Sequence, residues 1–250
     1  MTQIRIFPDS TALSTAAAAL FMAAAKTAVS QNGRFLVALS GGSTPLALFQ
    51  QLRQPAYAQI PWQQTHVFWG DERLVPPTDP GSNYGQAYDA LLRHVPIPAA
   101  HIHRAKGEME ATAAVADYAA QLRAMAEDDS PFPRFDLAIM GMGDDGHTAS
   151  LFPGPIPSAE NTQPVMAVTA FYETRPAHRL TLTPQVFNDA RQVIFLVTGA
   201  QKAAAVTAVL HGTHNPEKWP AQRIHPQQGQ LIWFLDEAAG GNAGGKRQTA

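Results

Sequence analysis

Residues 141–150 read GMGDDGHTAS and follow an apolar run from Phe135 to Met140. The segment places two carboxylates, Asp144 and Asp145, just ahead of an imidazole, His147. A carboxylate near an imidazole can fix its tautomer and raise its basicity, the usual arrangement for a general base. The run before it reads as a buried strand, and in an open parallel sheet ligands bind beyond the carboxyl ends of the strands. This turn alone does not choose between a general base and a histidine that caps a short following helix.

The same ten residues contain Gly141, Gly143 and Gly146 in the spacing G-x-G-x-x-G. A dinucleotide site with that spacing needs a long helix after the third glycine, its N-terminus facing a pyrophosphate. Here Pro153-Gly154 closes the segment, so any helix is short, and Asp144 and Asp145 would set two negative charges beside the phosphates. The run from Val165 to Ala170 supplies no acid for a ribose. A hydrolase nucleophile elbow fails as well, because neither Ser40 nor Ser150 has glycines at both required positions. His101-Ile102-His103 would chelate a metal only if extended, and a polar surface strand or loop is the expected reading, so no metal is assigned.

Other strand ends add complementary groups. Leu39-Ser40-Gly41-Gly42-Ser43-Thr44-Pro45 is a glycine turn opening into a helix. Its free N–H groups, hydroxyls and positive helix end suit a single phosphate, and it lacks the lysine of a nucleotide loop. Gly70-Asp71-Glu72-Arg73 sets two acids and an arginine at the next strand end, and the planar fork of Arg73 suits a phosphate or a developing oxyanion. Lys202, in Thr198-Gly199-Ala200-Gln201-Lys202, stands in the first turn of a helix, where the macrodipole disfavours a cation. Such a placement points to an anionic ligand nearby. Arg179 is a further candidate cation. A base, an anion-binding turn and several cations together describe a site for a small sugar phosphate.

These groups need a scaffold, and the periodicity supplies one. A helix is expected over 11–31, capped by Ser10 or Thr11, with Leu13, Ala17, Leu20 and Ala24 on one face and Gly33 as its stop. Arg34 to Leu39 reads as a buried strand, followed by a helix started by the hydroxyls of Ser43 and Thr44 with Pro45 in its first turn. Thr65–Trp69, 135–140, Val193–Val197 and Leu231–Leu235 read as further strands. A helical stripe precedes 135–140 (Val115, Tyr118, Ala119, Leu122, Met125), and an alanine-rich helix ending at Gly212 follows Val197. Strands alternating with helices, each a continuous apolar run, predict a parallel sheet covered on both faces. Residues 238–250 read as a disordered tail, leaving 1–237 as a single catalytic domain.

Composition narrows the classes. With 250 residues, 45% of them apolar, the chain can bury one large core. The net charge of −2 gives no basic field for nucleic acid, and the absence of cysteine removes disulfides, thiolate nucleophiles and cysteine-ligated metals. No signal peptide is expected, and polar residues with Lys26 interrupt the apolar stretch at 13–29, so neither a membrane span nor a membrane partner is expected. The expectation is a soluble cytoplasmic protein, its oligomeric state open between monomer and weak dimer.

With these residues assembled, the chain resembles the 6-phosphogluconolactonases of the pentose phosphate pathway. The matching blocks are ALSGGSTP at 38–45, FWGDERLVPP at 68–77, SNYG at 82–85, GMGDDGHTASLFPG at 141–154, RLTLTP at 179–184 and VTGAQKA at 197–203. The resemblance implies an α/β fold: one three-layer α/β/α domain with a mainly parallel, Rossmann-like sheet, similar to glucosamine-6-phosphate deaminase. It implies no cofactor and hydrolysis of 6-phospho-D-glucono-1,5-lactone. His147 becomes the general base, Asp145 its orienting partner, and Arg73 a cation at the substrate's phosphate or oxyanion. Ser40, Gly41, Gly42, Ser43, Thr44, Asp71, Gly143, Arg179 and Lys202 become the other substrate-binding positions. Two rivals share parts of the pattern. Amino-sugar-phosphate deaminases carry a similar Asp-Gly-His turn, yet Phe152 stands where theirs has a glutamate. A sugar-phosphate sensor would need a DNA-binding module, and no basic helix-turn-helix precedes the first strand.

Overall fold

The computed structural model of the chain describes residues 2–127, 129–170, 176–241, 243–244 and 246–247. Its strands are β1 (Thr2–Phe7), β2 (Phe35–Leu39), β3 (Thr65–Trp69), β4 (Asp71–Arg73) and β5 (Leu137–Met140), then β6 (Val165–Thr169), β7 (His178–Leu182), β8 (Gln192–Val197), β9 (Gln230–Asp236) and β10 (Lys246–Arg247). The helices are α1 (Ser10–Asn32), α2 (Ser43–Leu52), α3 (Asn83–Ala90), α4 (Ala111–Met125), α5 (Pro184–Asp189), α6 (Ala203–His211) and α7 (Glu237–Gly240). Seven strands form one sheet in the order β10-β1-β9-β8-β5-β2-β3, with every recorded pairing parallel.

Side chains of a strand point alternately to its two faces, so an unbroken apolar strand serves two cores. Along β8, Val193, Phe195 and Val197 join one core while Ile194 and Leu196 join the other. Residues of α1, α2 and α3 cover the second face, and residues of α4, α5, α6 and α7 cover the first. This is the three-layer α/β/α arrangement that the alternation predicts.

Several local expectations are corrected. Asp9, not Ser10 or Thr11, caps α1: its carboxylate accepts from the N–H groups of Thr11 and Ala12 at 2.9 and 2.8 Å. The buried stripe of α1 runs through Leu13, Ala17, Phe21, Ala25 and Ala28, so Leu20 and Ala24 flank it. Gly33 stops the helix in the left-handed region at φ 73°. By length and composition α1 could cross a membrane, yet its apolar stripe is spent against the sheet. The cap of α2 is Gly42 at φ 108°, without a side-chain cap bond, which leaves the hydroxyls of Ser43 and Thr44 for other work.

A second sheet, β4-β7-β6, is antiparallel and was not foreseen from the apolar runs. It takes in Asp71–Arg73, read from the sequence only as charged groups at a strand end, and pairs Arg73 opposite Arg179. The expected tail is ordered at its start. Asp236 caps α7 through the Ala239 N–H at 2.8 Å, Ala239 and Ala243 are buried, and Lys246–Arg247 pair with β1. The apolar contacts of two alanines and a parallel edge hold a segment that composition alone reads as disordered. Residues 242, 245 and 248–250 of that tail lie outside the described residues.

Candidate active site

β8, β5 and β2 lie side by side, and the chain runs outward in opposite directions from β2 (to β3) and from β5 (to β8 and β9). The crevice at such a reversal, beyond the C-terminal strand ends, is where this class of sheet binds ligands. A cleft of about 680 Å³ opens there, within the size range of small-molecule sites. Ser40, Gly41, Gly42, Ser43 and Thr44 line it from the end of β2, Gly143 and His147 from the end of β5, and Lys202 from the turn after β8. Asp71, Arg73 and Arg179 enter from the small sheet. Of the twelve positions assigned to the site from the sequence, Asp145 alone is not on the cleft wall, and it pairs with the imidazole of His147.

The imidazole is tightly placed. Asp145 Oδ1 lies 2.6 Å from His147 Nδ1 and also accepts the backbone N–H of His147 at 3.0 Å. A carboxylate on Nδ1 holds the proton there and leaves the lone pair of Nε2 for chemistry. Gly143 makes room for this pair: a Cβ at that position would sit 2.2 Å from His147 Nδ1 and 2.6 Å from Asp145 Oδ1. The turn closes through Gly143 N–H to the His147 carbonyl at 2.8 Å, and bends through Gly146 at φ 78° and Ala149 at φ 48°. No helix follows, only a bridge between Thr148 and Leu151, so the short helix expected after Gly146 is absent and His147 has none to cap. The ring of Phe152 lies 5.3 Å from that of His147.

Residues 212–230, which carry no motif, brace this turn. The Ala221 N–H donates to the Gly146 carbonyl at 3.0 Å, and a Cβ on Gly146 would lie 2.6 Å from the Trp219 ring. Arg223 donates to the Phe152 carbonyl at 3.1 Å and to Glu160 at 2.7 Å, with both ions buried. Burial pushes Arg223 down and Glu160 up, and each partner's charge opposes the shift in the other. Removing one member would strand a buried charge.

The opposite wall rests on two buried carboxylates. Glu72 accepts from the N–H groups of Arg73, Asn83 and Tyr84 at 2.8, 2.6 and 2.7 Å and from the Ser82 hydroxyl at 3.1 Å. Burial raises its pKa while those N–H bonds oppose the shift. It therefore ties β4 to the start of α3. Asp71 accepts from Ser150 Oγ at 2.7 Å and from Asn83 Nδ2 at 3.2 Å. Its carboxylate thus ties strand β4 to the segment after His147.

The cations converge by different routes. Arg73 reaches the Gly81 carbonyl, and its buried Nε has no hydrogen-bond partner among the described residues. Arg179 stacks over Phe152 at 5.7 Å and donates to the Pro176 carbonyl at 3.2 Å. Lys202 closes a 3₁₀ turn that leads into α6 and donates to the Met142 carbonyl, so the lysine spans from the end of β8 to the end of β5. Thr44 and Thr198 pair through their hydroxyls at 2.9 Å.

Asn83 and Gln201 also line the cleft and were not singled out, and so does Asp144, which the sequence placed in the turn without a role. Asn83 sits inside the SNYG block, but nothing in its spacing from Asp71 shows that α3 returns it to the wall. His101 and His103 lie away from the cleft, beside β3. His103 stacks on Phe68 at 4.3 Å, its Nε2 is 3.0 Å from His66 Nδ1, and His101 stacks on His66 at 3.9 Å. Among the described residues no group of three or more His, Cys, Asp or Glu side chains is arranged to hold a metal ion.

Residues 8–233 match the family described as glucosamine-6-phosphate isomerases/6-phosphogluconolactonase. A 6-phosphogluconolactonase of Nostoc sp. is 38% identical over 239 residues, covering 95% of this chain and 96% of the relative. The solved 6-phosphogluconolactonase of Trypanosoma brucei superposes with a TM-score of 0.87 at 28% identity, covering 98% of this chain and 99% of that one. A monomeric glucosamine-6-phosphate deaminase, 19% identical, shares the fold with a TM-score of 0.80 over 96% of this chain and 99% of its own.

Proposed function

The chain belongs to the glucosamine-6-phosphate isomerase/6-phosphogluconolactonase family, and from that premise we propose how its cleft works. It hydrolyses 6-phospho-D-glucono-1,5-lactone to 6-phospho-D-gluconate, the reaction named for relatives matched over 85–96% of their length. The observation that carries the mechanism is the Asp145–His147 pair at 2.6 Å on the cleft wall, with cationic side chains around it.

A δ-lactone is an activated ester, so water attacks it without a covalent enzyme intermediate. Nε2 of His147 takes one proton from water as the oxygen bonds to C1, a role worth roughly 10²–10⁴-fold. The carbonyl electrons move onto an oxyanion, which Arg73 or the N–H groups of the glycine turns stabilise. When the oxyanion collapses, the bond from C1 to the ring oxygen breaks, and the imidazolium returns its proton to that oxygen. The phosphate is unchanged and supplies orientation through the turn at 40–44, Arg179 and Lys202.

Phe152 favours hydrolysis over deamination. At the position where the deaminases carry a glutamate, its ring packs 5.3 Å from His147 and has no proton to exchange. The same reading takes 1–237 as one catalytic unit acting on a small molecule in the cytoplasm, without cofactor, nucleic acid or membrane. The test is release of 6-phosphogluconate from freshly generated lactone, corrected for spontaneous hydrolysis. A rate no greater than the spontaneous one would overturn it.

A further inference from the structure

His147 and Arg179 line the cleft, and one ring backs them both. Phe152 lies 5.3 Å from the imidazole and holds the Arg179 guanidinium over its face at 5.7 Å, without itself lining the cleft. Whatever fixes Phe152 therefore fixes a base and a cation together. Regular structure does not fix it: after the bridge at Leu151 the chain enters no helix or strand before the 3₁₀ turn at Ser158–Asn161. The hold comes from Arg223, far along the chain. Its Nη2 donates to the Phe152 carbonyl at 3.1 Å, Nη1 to Glu160 at 2.7 Å and Nε to the Pro216 carbonyl at 2.9 Å. With all three nitrogens engaged, the planar guanidinium has no freedom to turn.

The side chains of Arg223 and Glu160 are only 5% and 3% exposed. A buried ion pair adds little stability, because desolvating two charges costs about what their attraction returns, and apolar residues of similar volume often serve as well. What an apolar pair could not do is donate to the Phe152 carbonyl. We infer that Arg223 is a positioning residue for the reaction: by holding that carbonyl it fixes the ring against which His147 and Arg179 are set. Glu160 neutralises the guanidinium in its buried place. This inference rests on the hydrolytic reading of the cleft.

The test sets Glu160→Gln, Arg223→Met, the paired Glu160→Met/Arg223→Met and Phe152→Leu beside wild type. Three quantities are read: Tm, kcat on the lactone, and the His147 Cε1 proton resonance, which the ring current of Phe152 displaces and which His147→Ala assigns. Glu160→Gln keeps an acceptor for Nη1 and leaves the Phe152 bond in place, so Tm should fall while kcat stays within about twofold of wild type. The paired variant strands no charge and should recover Tm relative to Arg223→Met. Its kcat should nevertheless stay about tenfold below wild type, a fraction of the loss that a 1 Å misplacement brings, and its His147 resonance should move. Adding the paired change to Phe152→Leu should alter kcat by less than about twofold, because the ring that transmits the effect is already gone. If Arg223→Met alone does not fold, the paired variant makes the comparison against wild type. A kcat that follows Tm across the set overturns the inference. So does an unmoved His147 resonance in the paired variant, or an equal loss of kcat with and without the Phe152 ring. Failure of wild type to hydrolyse the lactone overturns the proposed function instead, and the resonance still decides whether Arg223 places the ring.

Discussion

The Asp145–His147 pair occupies the volume that any side chain on Gly143 would need, with His147 Nδ1 2.2 Å from the absent Cβ. The glycine two residues before the aspartate is therefore a spatial requirement of the base. Gly143→Ala should fold, since Gly143 is not among the positive-φ positions, but it must displace the imidazole or its carboxylate. Misplacement by about 1 Å costs on the order of 10² in rate. We expect kcat to fall by about that factor with the thermal midpoint little changed; a variant with wild-type kcat would show that the pair has slack.

His147→Ala should lose at least roughly 10²-fold in kcat. Affinity for 6-phosphogluconate should change little, because in the proposed binding mode the 40–44 turn and the cations hold the phosphate. Calorimetric titration with product, beside initial rates, separates the two effects. A folded alanine variant that keeps its kcat would remove His147 from the mechanism.

Arg73 reaches the cleft from strand β4 and Lys202 from the 3₁₀ turn after β8. Arg73→Ala or Lys202→Ala should each weaken kcat/KM by an amount corresponding to about 1.5–3 kcal/mol, the worth of a charge-assisted contact. Lys202 also holds the Met142 carbonyl, so its loss should loosen the end of β5 and lower kcat as well as raise KM. Steady-state constants equal to wild type in both variants would place these cations outside the working site.

Acid should destabilise the fold through His66 and His103. Burial, with the neighbouring imidazoles, pulls each from an ordinary 6.5 down to about 4. Between those values the unfolded chain binds more protons than the native one. The stability they confer is therefore complete above pH 6.5 and is lost as the pH falls toward 4. The thermal midpoint should drop over that window, and less steeply in a His66→Gln/His103→Gln variant. Parallel slopes would rule the cluster out as the source.

The core strands and the site's two main turns were legible in the sequence because they depend on neighbours in the chain. An apolar run at 35–39 or 193–197 leaves a strand few alternatives to burial on both faces, and Asp145 stands two residues from His147. Glycines at 41, 42, 143 and 146 announce tight turns for the same local reason. What the sequence left open depends on contacts between distant segments. β1 alternates Ile4 and Ile6 with polar residues, too short a pattern to stand alone, and it becomes a strand by pairing with β9. The small antiparallel sheet arises only when Asp71–Arg73 meets His178–Leu182 across more than a hundred residues. The start of the tail is held because Ala239 and Ala243 find a core, which composition does not reveal. Asn83 reaches the cleft because α3 packs beside β4 and Gly41 leaves it room, an approach that no spacing in the chain encodes. The sequence by itself determined the chemical groups and the turns that carry them; the tertiary structure decided which of them share a wall, because that depends on the packing of segments the chain separates.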